Sequence, residues 1–205
     1  MILNEIGLEL ELFLLDKDNN ILEPIKYGFP ADEMGFLIEI RSEHSNRPED
    51  VENILDSLIK INTDKANLLG FKVERVPFKE VSKEFQEYIR EKYKHYLFPD
   101  HTQNIYGKPL VSHHTGFKEN LATAGLHVHF SSRRIFGIKC VQRDLPIEEI
   151  VRKMDTIFIK EIKDTNRVPG EYEMKSHGFE YRSLGNNIDV RKVIDTSLQI
   201  LEEVK

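Results

Sequence analysis

The chain is built around Thr123-Ala124-Gly125-Leu126-His127-Val128-His129-Phe130-Ser131-Ser132. Its two histidines are two residues apart, and Val128 and Phe130 alternate with them. Side chains at this spacing point to the same face of a strand. The stretch therefore predicts a strand with imidazoles on one face and apolar side chains on the other.

Three further apolar runs carry a polar pair with the same spacing. The pairs are Glu9 and Glu11, Glu39 and Arg41, and Glu180 and Arg182. On one isolated strand, carboxylates that face solvent would be the simpler interpretation. Several strands with the same pattern favour a shared polar face, although a solvated face remains open for each pair taken alone.

Amphipathic helices are predicted between the strands from apolar residues at helical spacing. They cover residues 46–70, 144–162 and 190–204, with a charged helical segment over 82–96. Another strand is predicted over 71–81, an uncertain strand over 135–141 and a tight loop over 166–172. The pattern predicts one α+β domain over residues 1–205, a mainly antiparallel sheet with helices on one face and a polar floor on the other.

Composition and charge exclude several classes of protein. Of 205 residues, 40% are hydrophobic and 31% charged, so the chain can form one sizeable core. The net charge of -6 argues against a nucleic-acid partner, and no apolar run approaches the ~20 residues that span a bilayer. Cys140 is the single cysteine, and residues 1–5 lack the basic start of a signal peptide. A cytoplasmic protein without a membrane partner is expected.

The polar pairs predict a metal site if their strands are neighbours, about 4.8 Å apart. The side chains that would converge on one or two cations are Glu9, Glu11, Glu39, His127 and Glu180. Carboxylates this close repel one another unless a cation neutralises them. Carboxylates with one imidazole suit Mg²⁺ or Mn²⁺.

Other charged residues are candidates with an equally good structural interpretation. Arg133, Arg134 and Arg167 are either contacts for a phosphate or substrate carboxylate or ordinary surface arginines. An irregular stretch over 98–119 carries His101, His113 and His114. The last two are better interpreted as exposed loop residues than as ligands, because sequence neighbours on an extended chain point apart.

The motifs also resemble those of a known superfamily. Gly7-Leu8-Glu9-Leu10-Glu11 is similar to the Gly-x-Glu-x-Glu strand of glutamine synthetase and glutamate–cysteine ligase. The stretches 125–129 and 179–182 are similar to its Gly-x-His-x-His and Glu-x-Arg strands, in the same order. The closest resemblance is to the compact COOH–NH2 ligases, or amidoligases, of phage and bacterial genomes, which also have an Arg-x-x-Gly-x-Tyr loop, here Arg167 to Tyr172. The resemblance spans residues 5–187.

This resemblance implies a glutamine synthetase-like catalytic domain and a role for each matching residue. The residues implied to hold the cation on the ATP phosphates are Glu9, His127 and Glu180, and those implied for a second cation are Glu11 and Glu39. The residues implied to contact the nucleotide are His129, Arg133, Arg134 and Arg182, and those implied to take part in the reaction are Arg182, Arg167 and Glu39. The chain departs from glutamine synthetase in lacking its separate amino-terminal domain and in offering only Asp32 or Glu33 for another metal-binding acid.

Three functions of different classes follow. The resemblance favours an ATP- and Mg²⁺- or Mn²⁺-dependent enzyme that joins a small-molecule or peptide carboxylate to an amine through an acyl phosphate. The first alternative is a metal-dependent hydrolase or cupin-like metalloenzyme in which His127 and His129 bind one metal. The second is a non-catalytic relative that binds a nucleotide or metabolite. Self-association into a homo-oligomer is compatible with all three.

Overall fold

The computed structural model describes residues 2–32, 35–93, 102–108, 117–118, 120–136, 138–165 and 167–204. The predictions for Glu33, His101, His113 and His114 lie outside these residues. The strands are β1 (Ile2–Leu15), β2 (Leu37–Arg41), β3 (Lys72–Glu74), β4 (Phe78–Glu80), β5 (Thr102–Asn104), β6 (Phe117–Lys118), β7 (Leu121–Thr123), β8 (Gly125–Phe136), β9 (Lys139–Gln142), β10 (Glu171–Lys175) and β11 (Gly178–Gly185). The helices are α1 (Pro48–Leu68), α2 (Lys83–Tyr93), α3 (Ile147–Asp164) and α4 (Val190–Glu203).

Eight of these strands form one sheet, in the order β2-β1-β8-β11-β10-β5, with β3 also paired to β1 and β9 to β8. All the pairings are antiparallel. A small second sheet has the order β4-β7-β6. The predicted α+β class with a mainly antiparallel sheet is confirmed, and the long strands β1 and β8 lie side by side near its centre.

The apolar face of the sheet forms the main core. Ile6, Leu8, Leu10 and Leu12 alternate along β1, and each is at most 1% exposed. They share one cluster with buried residues of α1, α3 and α4 and with Val128 and its neighbours on β8. These three helices therefore cover one face of the sheet, as the periodicity predicts.

The fourth helix departs from that prediction. The alternation that gives Glu9 and Glu11 continues into Phe13, which is buried on the same side of β1 as these acids. Phe13 belongs to a second apolar cluster with Phe36 and with Ile89 of α2. The helix α2 thus packs at one end of the polar face, because β1 changes there from acidic to aromatic residues.

Two local predictions on the strands are wrong. The segment 71–81 contains two short strands rather than one, since β3 joins the main sheet and β4 the small sheet. Between them Arg75 donates from Nε to the carbonyl oxygen of Asn186 and from Nη2 to that of Ile188, both at 2.5 Å. Strand β8 also runs beyond Ser132 to Phe136, so the two arginines expected after it lie inside it.

The predicted tight loop over 166–172 is shorter than expected, because its last two residues open β10. This strand pairs with β11 and carries further charged residues to the sheet. Among the described residues, no helix is long and apolar enough to cross a membrane.

Candidate functional site

The register of the sheet brings the polar pairs together. On β1 and β8, Glu9 lies opposite His127 and Gly7 opposite His129. Glu11 lies opposite Glu39 on β2. On the other side of β8, Glu180 of β11 lies opposite His129. Since these positions alternate with core residues, their side chains share the face opposite α1, α3 and α4.

The first group consists of Glu9, His127 and Glu180, whose possible ligand atoms all lie within 4.8 Å of one another. The Nδ1 atom of His127 is 2.9 Å from Glu9 Oε1 and 2.9 Å from Glu180 Oε1. All three side chains are buried. Two buried carboxylates on one imidazole form a compact donor set that fits a divalent cation.

Electrostatics in this group favour charged side chains. Burial opposes the charged imidazole, as does Arg182, but the carboxylates of Glu11, Glu180 and Glu9 raise the pKa of His127 to about 9. Burial also opposes ionisation of Glu180, yet Arg182 and His127 hold its pKa below the usual range. Without a cation, the acids of this group are therefore matched by the proton on His127 and by neighbouring basic groups.

The second group consists of Glu9, Glu11 and Glu39, again with carboxylate oxygens within 4.8 Å. Arg41 bridges two of them, with Nε 2.7 Å from Glu9 Oε2 and Nη2 2.6 Å from Glu39 Oε1. Burial and the charge of Glu9 nevertheless raise the pKa of Glu39 to about 8. These acids are too close for all of them to ionise easily without further positive charge.

Glu11 is held by the start of β8. Its Oε2 atom accepts a hydrogen bond from the backbone N–H of Gly125 at 2.5 Å and lies 3.6 Å from Nη2 of Arg167. A Cβ atom on Gly125 would lie 2.4 Å from Arg167 Nη2 and 2.7 Å from His127 Nε2. The glycine of the Gly-x-His-x-His pattern thus leaves room for both side chains.

Arg182 lies beside the first group. Its Nη1 atom donates to Glu180 Oε1 at 2.8 Å and to Glu173 Oε2 at 3.1 Å. Lys175 also contacts both acids, with Nζ 2.9 Å from Glu180 Oε2 and 2.8 Å from Glu173 Oε1. Glu173 and Lys175 were not among the predicted site residues, although they have the two-residue spacing that marks the other strands.

The remaining predicted residues lie apart from these acids. Arg133 forms an ion pair with Glu5. Arg134 is exposed, contacts the ring of Phe136 and occupies the alternation of Val128 rather than that of His127. Asp32 accepts a hydrogen bond from the backbone N–H of Leu37 at 2.9 Å in the loop before β2.

His129 belongs to a third group, with His44 and His177. Its Nδ1 atom is 3.2 Å from His177 Nε2, and its Nε2 atom is 3.5 Å from Glu9 Oε2. Burial and the other two imidazoles lower the pKa of His177 to about 4. His44 and His177 lie in loops without strand or helix periodicity, so the sequence offered no signal for them.

A separate groove of about 960 Å³ lies on the helical side of the molecule, lined by residues of α3 and α4 such as Arg152, Thr156 and Gln199. It is on the other side of the sheet from the polar groups. The largest described concavity and the charged cluster therefore do not coincide.

Comparison with known proteins leaves the family open, since no family model, curated protein or solved structure matches the chain.

Proposed function

We propose that the protein is an ATP-dependent carboxylate–amine ligase with a glutamine synthetase-like catalytic domain, which uses Mg²⁺ or Mn²⁺ and forms an amide through an acyl phosphate. The observation that carries this proposal is the convergence of the Glu-x-Glu, His-x-His and Glu-x-Arg strands on one face of the sheet. Two overlapping groups of possible metal ligands follow from it, and they share Glu9.

In this proposal the two groups have different tasks. Glu9, His127 and Glu180 hold a cation on the ATP phosphates, while Glu11 and Glu39 hold one near the acid substrate. Cations here would neutralise the charge that keeps a carboxylate oxygen from the γ-phosphate. The raised pKa of Glu39 supports a second cation, because added positive charge would allow this carboxyl to ionise.

The arginines beside the acids support an anionic substrate. Arg182 and Arg167 are largely buried, and the Nε atom of each has no hydrogen-bond partner among the described residues. A buried donor without a partner is costly, and a phosphoryl or carboxylate oxygen would satisfy it. Arg182 is the better candidate for the transferring phosphoryl group, since it already contacts Glu180.

The arrangement of the two histidines favours the ligase over the two-histidine metalloenzyme. Among the described residues, His127 groups with Glu9 and Glu180, whereas His129 groups with His44 and His177. The alternative requires both imidazoles on one metal. Magnesium-dependent ATP turnover separates the ligase from both this metalloenzyme and a non-catalytic relative.

The test is to measure ADP and phosphate release with Mg²⁺ or Mn²⁺ across a panel of carboxylic acids and amines. The variant Arg182→Lys keeps the charge but loses the planar fork that contacts two oxygens. We expect turnover to fall by about 10²-fold or more with near-normal binding of Mg²⁺-ATP, because this contact strengthens mainly as the phosphoryl group transfers. Arg134→Lys is the matched control and should keep its turnover, since Arg134 is exposed.

Three results would contradict the proposal. Failure of every acid and amine pair to produce ADP would remove the ligase activity. Release of AMP and pyrophosphate would exclude the acyl-phosphate route. Full turnover in Arg182→Lys would remove the role of Arg182 and leave it as the structural partner of Glu180 and Glu173.

A further inference from the structure

Three imidazoles meet at the end of the polar face that lies beyond Glu9. His44 follows β2, His129 lies in β8, and His177 is in the turn between β10 and β11. One nitrogen from each lies within 4.8 Å of the others. The ring centroids of His44 and His177 are 4.6 Å apart, and those of His129 and His177 are 5.2 Å apart.

The backbone around these histidines is built for close approach. A Cβ atom on Gly7 would lie 2.7 Å from Cδ2 of His44, so this ring lies directly against the β1 backbone. Gly178 has a φ of 146°, and a Cβ there would lie 2.1 Å from the carbonyl oxygen of Phe130. The turn that carries His177 is also held by Gln142, whose Nε2 donates to the His177 carbonyl oxygen at 2.5 Å. The positions of two of the imidazoles therefore depend on specific neighbours.

The spacing of the nitrogens matches a coordination sphere. Two imidazole nitrogens bound to one tetrahedral Zn²⁺ at about 2.0–2.1 Å are about 3.3 Å apart. The observed separation of His129 Nδ1 and His177 Nε2 is 3.2 Å. A cation between these two atoms would need little movement of either ring.

His129 also has a carboxylate behind it. With Nδ1 directed at His177, its Nε2 atom is directed at Glu9 Oε2, 3.5 Å away. This Nε2 atom is buried and has no hydrogen-bond partner among the described residues. Metal-binding histidines commonly direct the second ring nitrogen at a carboxylate, which fixes the tautomer and orients the ring.

We propose that His44, His129 and His177 form a second metal site, which binds Zn²⁺ or a similar divalent transition metal through three imidazole nitrogens. Its all-nitrogen donor set suits such metals, whereas Mg²⁺ prefers the oxygen-rich groups next to it. Among the described residues no fourth histidine, cysteine or acid completes this group. One position of a tetrahedral ion is then open to water or a small anion. The site is independent of the ligase reaction.

The test uses metal-stripped full-length protein, without ATP, and measures Zn²⁺ affinity by competition with a chromophoric chelator. His44→Ala and His177→Gln should each weaken Zn²⁺ binding by at least about tenfold, because each removes a ligand. His127→Ala is the matched control, since it removes a buried imidazole of the neighbouring group and should keep the binding that depends on His44 and His177. Co²⁺ should give the intense visible absorption of a four-coordinate site in the wild-type protein.

Several results would overturn this proposal. They are no competition for Zn²⁺ by the wild-type protein, unchanged affinity in both His44→Ala and His177→Gln, and loss of binding in His127→Ala alone. Circular dichroism shows whether each variant is folded. If His44→Ala does not fold, His177→Gln decides the question, because that side chain lies in a hairpin turn. Because no ATP is present, the absence of ligase activity would not affect the result.

Discussion

The two faces of β1 and β8 are made by alternate residues of the same backbone, yet different interactions stabilise them. On one face Leu8, Leu10, Val128 and Phe130 are buried against the helices. On the other face the acids and imidazoles are buried against one another and against basic groups. Apolar burial stabilises the fold without a ligand, whereas buried ion pairs often contribute little after desolvation. The comparison indicates that stability comes mainly from one face and that the other is available for chemistry.

The largest expected effect is on the apolar face. Phe130 is fully buried and stacks on Phe179, with ring centroids 4.9 Å apart. Phe130→Ala should lower the free energy of unfolding by about 3–5 kcal/mol, because it removes buried area and leaves a cavity. Urea unfolding of the metal-free protein measures this change. The adjacent variant His129→Ala should cost clearly less, and an equal loss would contradict the division between the faces.

A smaller effect is expected when the polar face receives a cation. Mn²⁺ at about 100 times its dissociation constant should raise the free energy of unfolding by about 2.7 kcal/mol if it binds only the folded state. Thermal unfolding with and without Mn²⁺ measures the gain. In His127→Ala, which removes the imidazole between Glu9 and Glu180, most of the gain should disappear. The same gain in this variant would place the Mn²⁺ elsewhere.

The smallest effect is the pH dependence of the metal-free polar face. The folded-state pKa of Glu39 is about 8, against an ordinary value of 4.5. Between these values the folded state binds the extra proton, so stability should fall as the pH rises from about 4.5 to 8. Glu39→Gln stays neutral and should be more stable at pH 8 by about 1–2 kcal/mol, with a flatter profile.

His127 gives a matched reference for that profile. Because its pKa is raised to about 9, its contribution to stability is present below its ordinary value of 6.5 and is lost as the pH rises through 9. This loss should persist in Glu39→Gln. Thermal unfolding from pH 4 to pH 10 resolves the two windows, and an unchanged profile in Glu39→Gln would show that this carboxyl ionises normally in the folded protein.

The sequence predicts most of the sheet and much of its polar face, because strand alternation is visible one residue at a time. Glu9 and Glu11 could be assigned to one face from Leu8 and Leu10 alone. The same argument gives His127 and Glu180 their side of the sheet. Neighbouring strands then bring these residues together, as the register shows.

Other parts of the site depend on tertiary contacts that alternation does not encode. Strand β10 was predicted as a loop over its first two residues, because its polar residues give no apolar alternation. His44 and His177 are placed by loop conformation and by glycines at the points of contact. The change from Glu11 to Phe13 was visible in the sequence, but only the second apolar cluster explains why α2 packs there.

The irregular pairing in β11 has a consequence for changes in chain length. Tyr181 pairs with Val128 and Leu184 with Leu126, so Arg182 and Ser183 together occupy the place opposite His127. Both Tyr181 and Leu184 are thereby buried in the core. Deleting Ser183 would restore regular spacing but turn either Leu184 or the Glu180–Arg182 pair to the wrong face. An insertion or deletion between residues 180 and 184 should therefore be far less tolerated than one of equal size in an exposed turn such as 17–19, where no strand has to keep its phase.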